Sequence, residues 1–200
     1  MNKQIKQIIN FLSPYWGVIY FVALLLFTHF LWKFVVDGDL HGQQIAILGK
    51  DLTEQFHFLS AFTAKAVHWF VHLFPNTGDF MIEDTRLFFL NENFPIHLIW
   101  GCTGVKQLYI FIVIIAFYRG PWKKKLWYIP VGCVVLWIYN IVRIASISYL
   151  TIGHHERFDF LHEGLFRYIF YGLIFLLWVI WEEKFVKHTT PKSPKGDFGE

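Results

Sequence analysis

A thiol, a guanidinium and an imidazole can together carry out acyl transfer, and this chain offers one of each in Cys102, Arg143 and His162. A cysteine attacks as the thiolate, which a helix N-terminus and a nearby cation both favour. Gly101-Cys102-Thr103-Gly104-Val105 opens an apolar run. A helix starting there turns the unpaired N–H groups of Thr103 to Val105 toward the thiol. Those donors, with Arg143, can hold the oxyanion formed when a carbonyl is attacked. His162 can give a proton to the leaving amine and take one from the incoming nucleophile. The chemistry this describes is a thioester intermediate, then hydrolysis or transfer to an amine or hydroxyl. Thr103 and Gly104 beside the thiol, and Asn140 one helical turn before Arg143, are the supporting residues.

Each residue also has a plain structural reading. A cysteine in an apolar helix usually packs as a small hydrophobe, and Cys133 is read that way. An arginine can snorkel to the membrane surface. Arg143, however, lies about seven residues inside its helix, where charge is costly unless paired. Asn140 and Ser146, at i−3 and i+3, extend a polar stripe that must face other protein. A lone His162 would be an interfacial histidine, as His154 and His155 are read to be.

The elements that must position these groups are membrane helices. Hydrophobic residues make up 55% of the 200 and charged ones 16%, unlike a soluble domain. Several apolar runs approach the roughly 20 residues that cross a bilayer. They lie at about Tyr15–Val36, Gly101–Tyr118, Leu126–Leu150 and His162–Trp181. The net charge of +3 makes no case for nucleic acid, and two cysteines make no disulfide framework. Lys3 and Lys6 precede the first run as in a signal peptide. The run is too long for one and no cleavage site follows, so it reads as a retained anchor.

Residues 54 to 74 have helical periodicity, with Lys65, His68 and His72 on one stripe. They read either as a span or as an amphipathic surface helix. Residues 75 to 99 read as a small cap outside the lipid, with a turn at Pro75-Asn76-Thr77-Gly78. Strand-like runs follow at Phe80–Ile82, Arg86–Leu90 and Phe94–Trp100, a hairpin pattern. The fold class expected is all-α, a polytopic bundle of four to five spans with that cap. Residues 1–183 form one domain, and 184–200, with Pro191 and Pro194, a disordered cytoplasmic tail.

The link from Arg119 to Lys125 holds four cations and no acid, so it should be cytoplasmic; the acidic 75–99 segment should lie outside. If 54–74 spans, the N-terminus is outside; if it lies on the surface, both termini are inside. The apolar content of 54–74 favours five spans. Depth then follows from counting. Cys102 is 17 residues from Arg119, Arg143 is 18 from Lys125, and His162 is 20 from Glu182. At 1.5 Å per residue these lie about 26, 27 and 30 Å above the cytoplasmic face. Three helices thus bring the three groups to one level, at the outer edge of the hydrocarbon.

The same residues carry a resemblance. Gly101-Cys102-Thr103-Gly104-Val105 resembles the Cys-small-Gly motif of the exosortase/archaeosortase family. Asn140-Ile141-Val142-Arg143 resembles its Asn-x-x-Arg motif, and His162-Glu163-Gly164 its His motif. The likeness spans about residues 75 to 182 and is to short bacterial members. It implies a membrane cysteine transpeptidase that cuts exported proteins at a C-terminal sorting signal: a short motif, a membrane helix and a basic tail. It implies Cys102 as nucleophile, Arg143 as transition-state stabiliser and His162 as general acid/base. The expected partners are such a membrane-anchored protein and the lipid bilayer, with no nucleic acid. The expected location is the cytoplasmic membrane, with the site facing outward.

Two other readings stay open. A non-enzymatic scaffold would use Cys102 structurally and pair Arg143 with an acid such as Glu163. A metal site from Cys102, His162, His154 or His155 is the weakest, because no tight cluster surrounds Cys102. No metal or other cofactor is expected.

Overall fold

The computed structural model describes residues 15–38, 44–74, 79–90, 95–151 and 160–186, with the side chains of His162 and Glu163 outside the description. The expectations for Lys3 and Lys6, for the turn at 75–78, for His154 and His155 and for the tail beyond Val186 lie outside the described residues. Glu182–Val186 prolongs the last helix as a π-helical turn.

Helix α1, Trp16–Val35, is apolar and mostly exposed, burying only Phe21, Thr28 and Trp32. Strands β1 (Val36–Gly38), β2 (Ile45–Ile47) and β3 (Lys50–Asp51) form a small antiparallel sheet. Helix α2, Thr53–Val71, begins where the Asp51 carboxylate accepts hydrogen bonds from the Thr53 N–H at 2.8 Å and hydroxyl at 2.6 Å. These bonds hold the Asp51 carboxyl below its usual range. A second sheet follows, with strands β4 (Phe80–Glu83), β5 (Arg86–Phe89) and β6 (Ile96–His97) in that order. A 3-10 turn, Trp100–Thr103, leads into α3, Val105–Phe117. Helix α4, Trp122–Leu150, has 29 residues. The π-helical stretch Phe160–Leu165 runs into α5, Phe166–Trp181.

Two of these helices, α1 and α4, are long and apolar enough to cross a membrane, and α3 is shorter but apolar. At 1.5 Å per residue, α1 is about 30 Å long, near the hydrocarbon thickness.

The molecule has two apolar centres. The first joins Phe21 of α1, Ile110, Phe111 and Ile114 of α3, Leu136 of α4 and Phe170, Ile174 and Trp178 of α5. It requires close helix approach: a Cβ on Gly132 of α4 would meet the Phe111 ring at 2.2 Å. The second joins Ala64, Val67 and Val71 of α2 to Phe80 and Leu87 of the second sheet and to Ile141, Ile144 and Ala145 of α4. The amphipathic pattern of α2 therefore buries a stripe against protein, and Phe58, Phe62 and Trp69 stay exposed.

The ends of the bundle are chemically distinct. At one end Tyr118 Oη donates to the Gly17 carbonyl at 3.3 Å, and Trp181 Nε1 donates to the Arg119 carbonyl at 2.8 Å. There Arg119 lies 4.0 Å from Glu182. Lys125 is buried and its ammonium donates to the carbonyls of Ala116 and Tyr118, satisfying acceptors at the α3 C-terminus. At the other end, Trp32 meets Tyr109 at 5.2 Å between ring centroids, and Gly38 abuts the Trp100 indole.

The expected strand runs at 80–82 and 86–90 appear as β4 and β5, while of the run at 94–100 only Ile96–His97 is strand, as β6, and Trp100 opens a 3-10 turn; the cap is a three-stranded sheet and not a lone hairpin. The first sheet lies between the first apolar run and the periodic segment 54–74. Its β2–β3 turn has Leu48 at φ 51° and Gly49 at φ 77°, the pair of left-handed residues that a tight hairpin uses.

Candidate active site

Cys102 sits on the 3-10 turn Trp100–Thr103, three residues before the α-helix that it was expected to begin. Its N–H donates to the Ile99 carbonyl at 2.9 Å. The buried Thr103 closes the turn, its hydroxyl donating to the Trp100 carbonyl at 2.6 Å. Gly104 then adopts φ +78°, and α3 starts at Val105. A side chain at 104 would be strained by that φ and would also press on Asn140, its Cβ lying 3.2 Å from Asn140 Cγ. Gly101 has no such need, since its nearest neighbour would be Ile99 Cδ1 at 4.0 Å.

Asn140 is fully buried and ties the two motifs together. Its Nδ2 donates to the Cys102 carbonyl at 2.9 Å, and its Oδ1 accepts from the Arg143 guanidinium at 3.5 Å. Arg143 is 5% exposed, so it does not snorkel. Its charge acts on the Cys102 thiol. Ser146 does not join this group; its hydroxyl returns to the Val142 carbonyl at 2.7 Å.

Cys102 keeps part of its surface exposed, yet it packs against the second apolar centre. That packing disfavours a thiolate, while the Arg143 charge and the backbone hydrogen bond at Ile99 favour one. Cys133, read as a small hydrophobe, packs on the first apolar centre.

His162 belongs to the π-helical stretch before α5, and its side chain lies outside the described residues. The backbone places that stretch at the same end as the thiol. Tyr139, adjacent to Asn140, donates its hydroxyl to the Phe166 carbonyl at 3.3 Å, and His162 is one turn further out. The structure thus brings together Cys102, Thr103, Gly104, Asn140 and Arg143, and sets the His162 backbone at the same end of the bundle.

Two clefts flank the turn, and Trp100 lines both. One, of about 520 Å³, is lined by Lys33, Lys106, Arg143, Arg167 and Tyr171 among others. The other, of about 570 Å³, lies in the cap between α2 and the second sheet, where His57 pairs with Asp84 at 3.0 Å. Lys106 and Arg167 were not singled out by sequence reading. Their signal is weak: each falls four or five residues after a motif residue, on the helix that the motif opens.

The site and bundle define a helical membrane protein that carries a half-buried cysteine and a buried asparagine and arginine at one end of its helices. The model of one family, described as transmembrane exosortase, matches residues 45–180, and the chain belongs to that family. No curated protein and no solved structure matches it.

Proposed function

We propose that this exosortase is a cysteine peptidase or transpeptidase that acts on exported proteins at the outer face of the cytoplasmic membrane. The observation that carries the reading is the single Asn140 side chain shared by the Cys102 carbonyl and the Arg143 guanidinium. It holds a nucleophile-bearing turn and a cation in fixed relation, as an oxyanion site requires.

In the proposed reaction the thiol starts protonated. His162 takes that proton as sulfur attacks the scissile carbonyl carbon. A C–S bond forms, and the carbonyl oxygen becomes an oxyanion facing Arg143 and the turn's N–H groups. The C–N bond then breaks, and His162 passes its proton to the leaving amine. Water, an amine or a hydroxyl resolves the thioester. Thr103, Gly104 and Asn140 are positioning residues. The substrate class is a membrane-anchored protein with a C-terminal sorting signal, as the resemblance implies.

We read the bundle as four spans, α1, α3, α4 and α5, with α2 on the outer surface. The start of α1 lies at the end that holds the basic 119–125 link. Helix α2 packs against the sheets and the outer half of α4. Both termini are then cytoplasmic and the thiol is extracytoplasmic.

The test is intact mass spectrometry of the protein with a candidate substrate bearing a C-terminal sorting helix. The wild type should gain an adduct that hydroxylamine removes, and Cys102→Ala should gain none. Substrate cleavage that persists in Cys102→Ala would overturn the reading.

A further inference from the structure

We infer that His68 and His72, at the end of α2 beside the cap, form a binding site for a divalent transition-metal ion of tetragonal preference, copper(II) or nickel(II). The two residues are one helical turn apart and face the same way. Their rings meet with centroids 4.2 Å apart. His68 is half-buried and His72 exposed, so an ion from solvent can reach the pair. Lys65, on the same stripe, is exposed, and its flexible stem lets the ammonium turn away.

Hydrogen bonds prepare both rings for a metal. His72 Nδ1 lies 2.9 Å from the His68 carbonyl oxygen. A carbonyl only accepts, so Nδ1 carries the proton and Nε2 of the neutral ring is left with its lone pair. The His68 ring hydrogen-bonds the Phe80 backbone in the sense that favours a proton on the bonded nitrogen, which frees the other. Ligating histidines characteristically have their second N–H tied to a carbonyl, which fixes tautomer and ring direction. Burial and the neighbouring His72 lower the pKa of His68, so that ring is neutral at pH 7.

The ring spacing selects the geometry. With metal–nitrogen bonds of about 2.0–2.1 Å, two imidazoles at adjacent corners of a square have centroids about 4.5 Å apart, and at tetrahedral corners about 5.2 Å. The 4.2 Å between His68 and His72 is nearer the square. No third His, Cys, Asp or Glu among the described residues completes a set, so water takes the remaining positions. The pair also stands at the carbonyl end of α2, which favours a cation. Because His68 stacks on Phe80 of β4, a bound ion would hold α2 to the cap.

The site owes nothing to the thiol. The test therefore uses the full chain with Cys102→Ala and Cys133→Ala, which removes competing sulfur ligands. In nonionic detergent at neutral pH it is titrated calorimetrically with nickel(II). Its histidines are then modified with diethylpyrocarbonate, with and without nickel, and read by peptide mass spectrometry. Nickel should bind, should slow modification of both His68 and His72 at least fivefold, and should leave His57 and His97 unprotected. H68Q and H72Q should each weaken binding at least tenfold, and H57Q should not. The footprint needs no histidine variant, so it decides the matter even if these variants misfold. Absence of binding, protection of neither or of only one of the pair, or undiminished binding by folded H68Q or H72Q would overturn the inference.

Discussion

Cys102 is surrounded by opposed influences, and the balance has a measurable sign. Packing on the second apolar centre disfavours a thiolate, while the Arg143 charge favours one. Arg143→Gln removes that cation and should move the pH–rate profile for alkylation of Cys102 to higher pH. An unchanged profile would show that Arg143 does not act on the thiol. Asn140 offers a second test. Replacing it with Leu leaves the Cys102 carbonyl without its donor and Arg143 without its acceptor. Leaving buried polar groups unsatisfied costs about 1–3 kcal/mol, so thermal unfolding should fall by an amount in that range. The motif spacing was legible at this scale because two motif residues have local duties: Gly104 for its φ, Asn140 for its bond. The apolar surroundings of the thiol were not legible, because they come from α2 and the cap packing near the turn.

Among the elements, the closest contact is between α3 and α4. Gly132 lets the Phe111 ring lie against the α4 backbone, and any Cβ there collides with the ring. Gly132→Ala should destabilise the bundle by about 1–3 kcal/mol, the usual cost of overpacking. Phe111→Leu on that background should recover part of the loss. Urea unfolding in detergent would measure both; a neutral Gly132→Ala would mean that the helices separate at no cost. The apolar runs announced the helices α1, α3, α4 and α5 plainly, because each is long and nearly uninterrupted in the sequence. The first sheet gave little signal, since its strands are two or three residues long and are held by pairing with one another. The ambiguity of α2 was physical. A helix with one face on protein and Phe58, Phe62 and Trp69 outward has the composition of a span and the packing of a surface helix.

For the whole molecule, the grouping of helix ends makes the topology testable. The four-span arrangement puts the N-terminus and C-terminus on the cytoplasmic side and the Leu48–Gly49 turn outside. Single cysteines introduced at Asn2, Gly49 and Gly199 in a Cys102→Ala/Cys133→Ala background should differ in labelling by an impermeant maleimide applied to intact cells. Only the cysteine at Gly49 should react. A reactive cysteine at Asn2 would restore the five-span arrangement.

The 3-10 turn bearing Cys102 leaves α3 with 13 residues, about 20 Å of helix. On the four-span reading proposed above, this helix must cross hydrocarbon about 30 Å thick. Irregular backbone at that depth survives only where protein or a water-filled cavity covers it. On that reading the thiol sits in a dimple of the bilayer, and the membrane must thin or the cap must dip to meet it. Lipid chain length becomes a control on access to the site, because a thicker membrane has further to yield before an aqueous nucleophile can arrive.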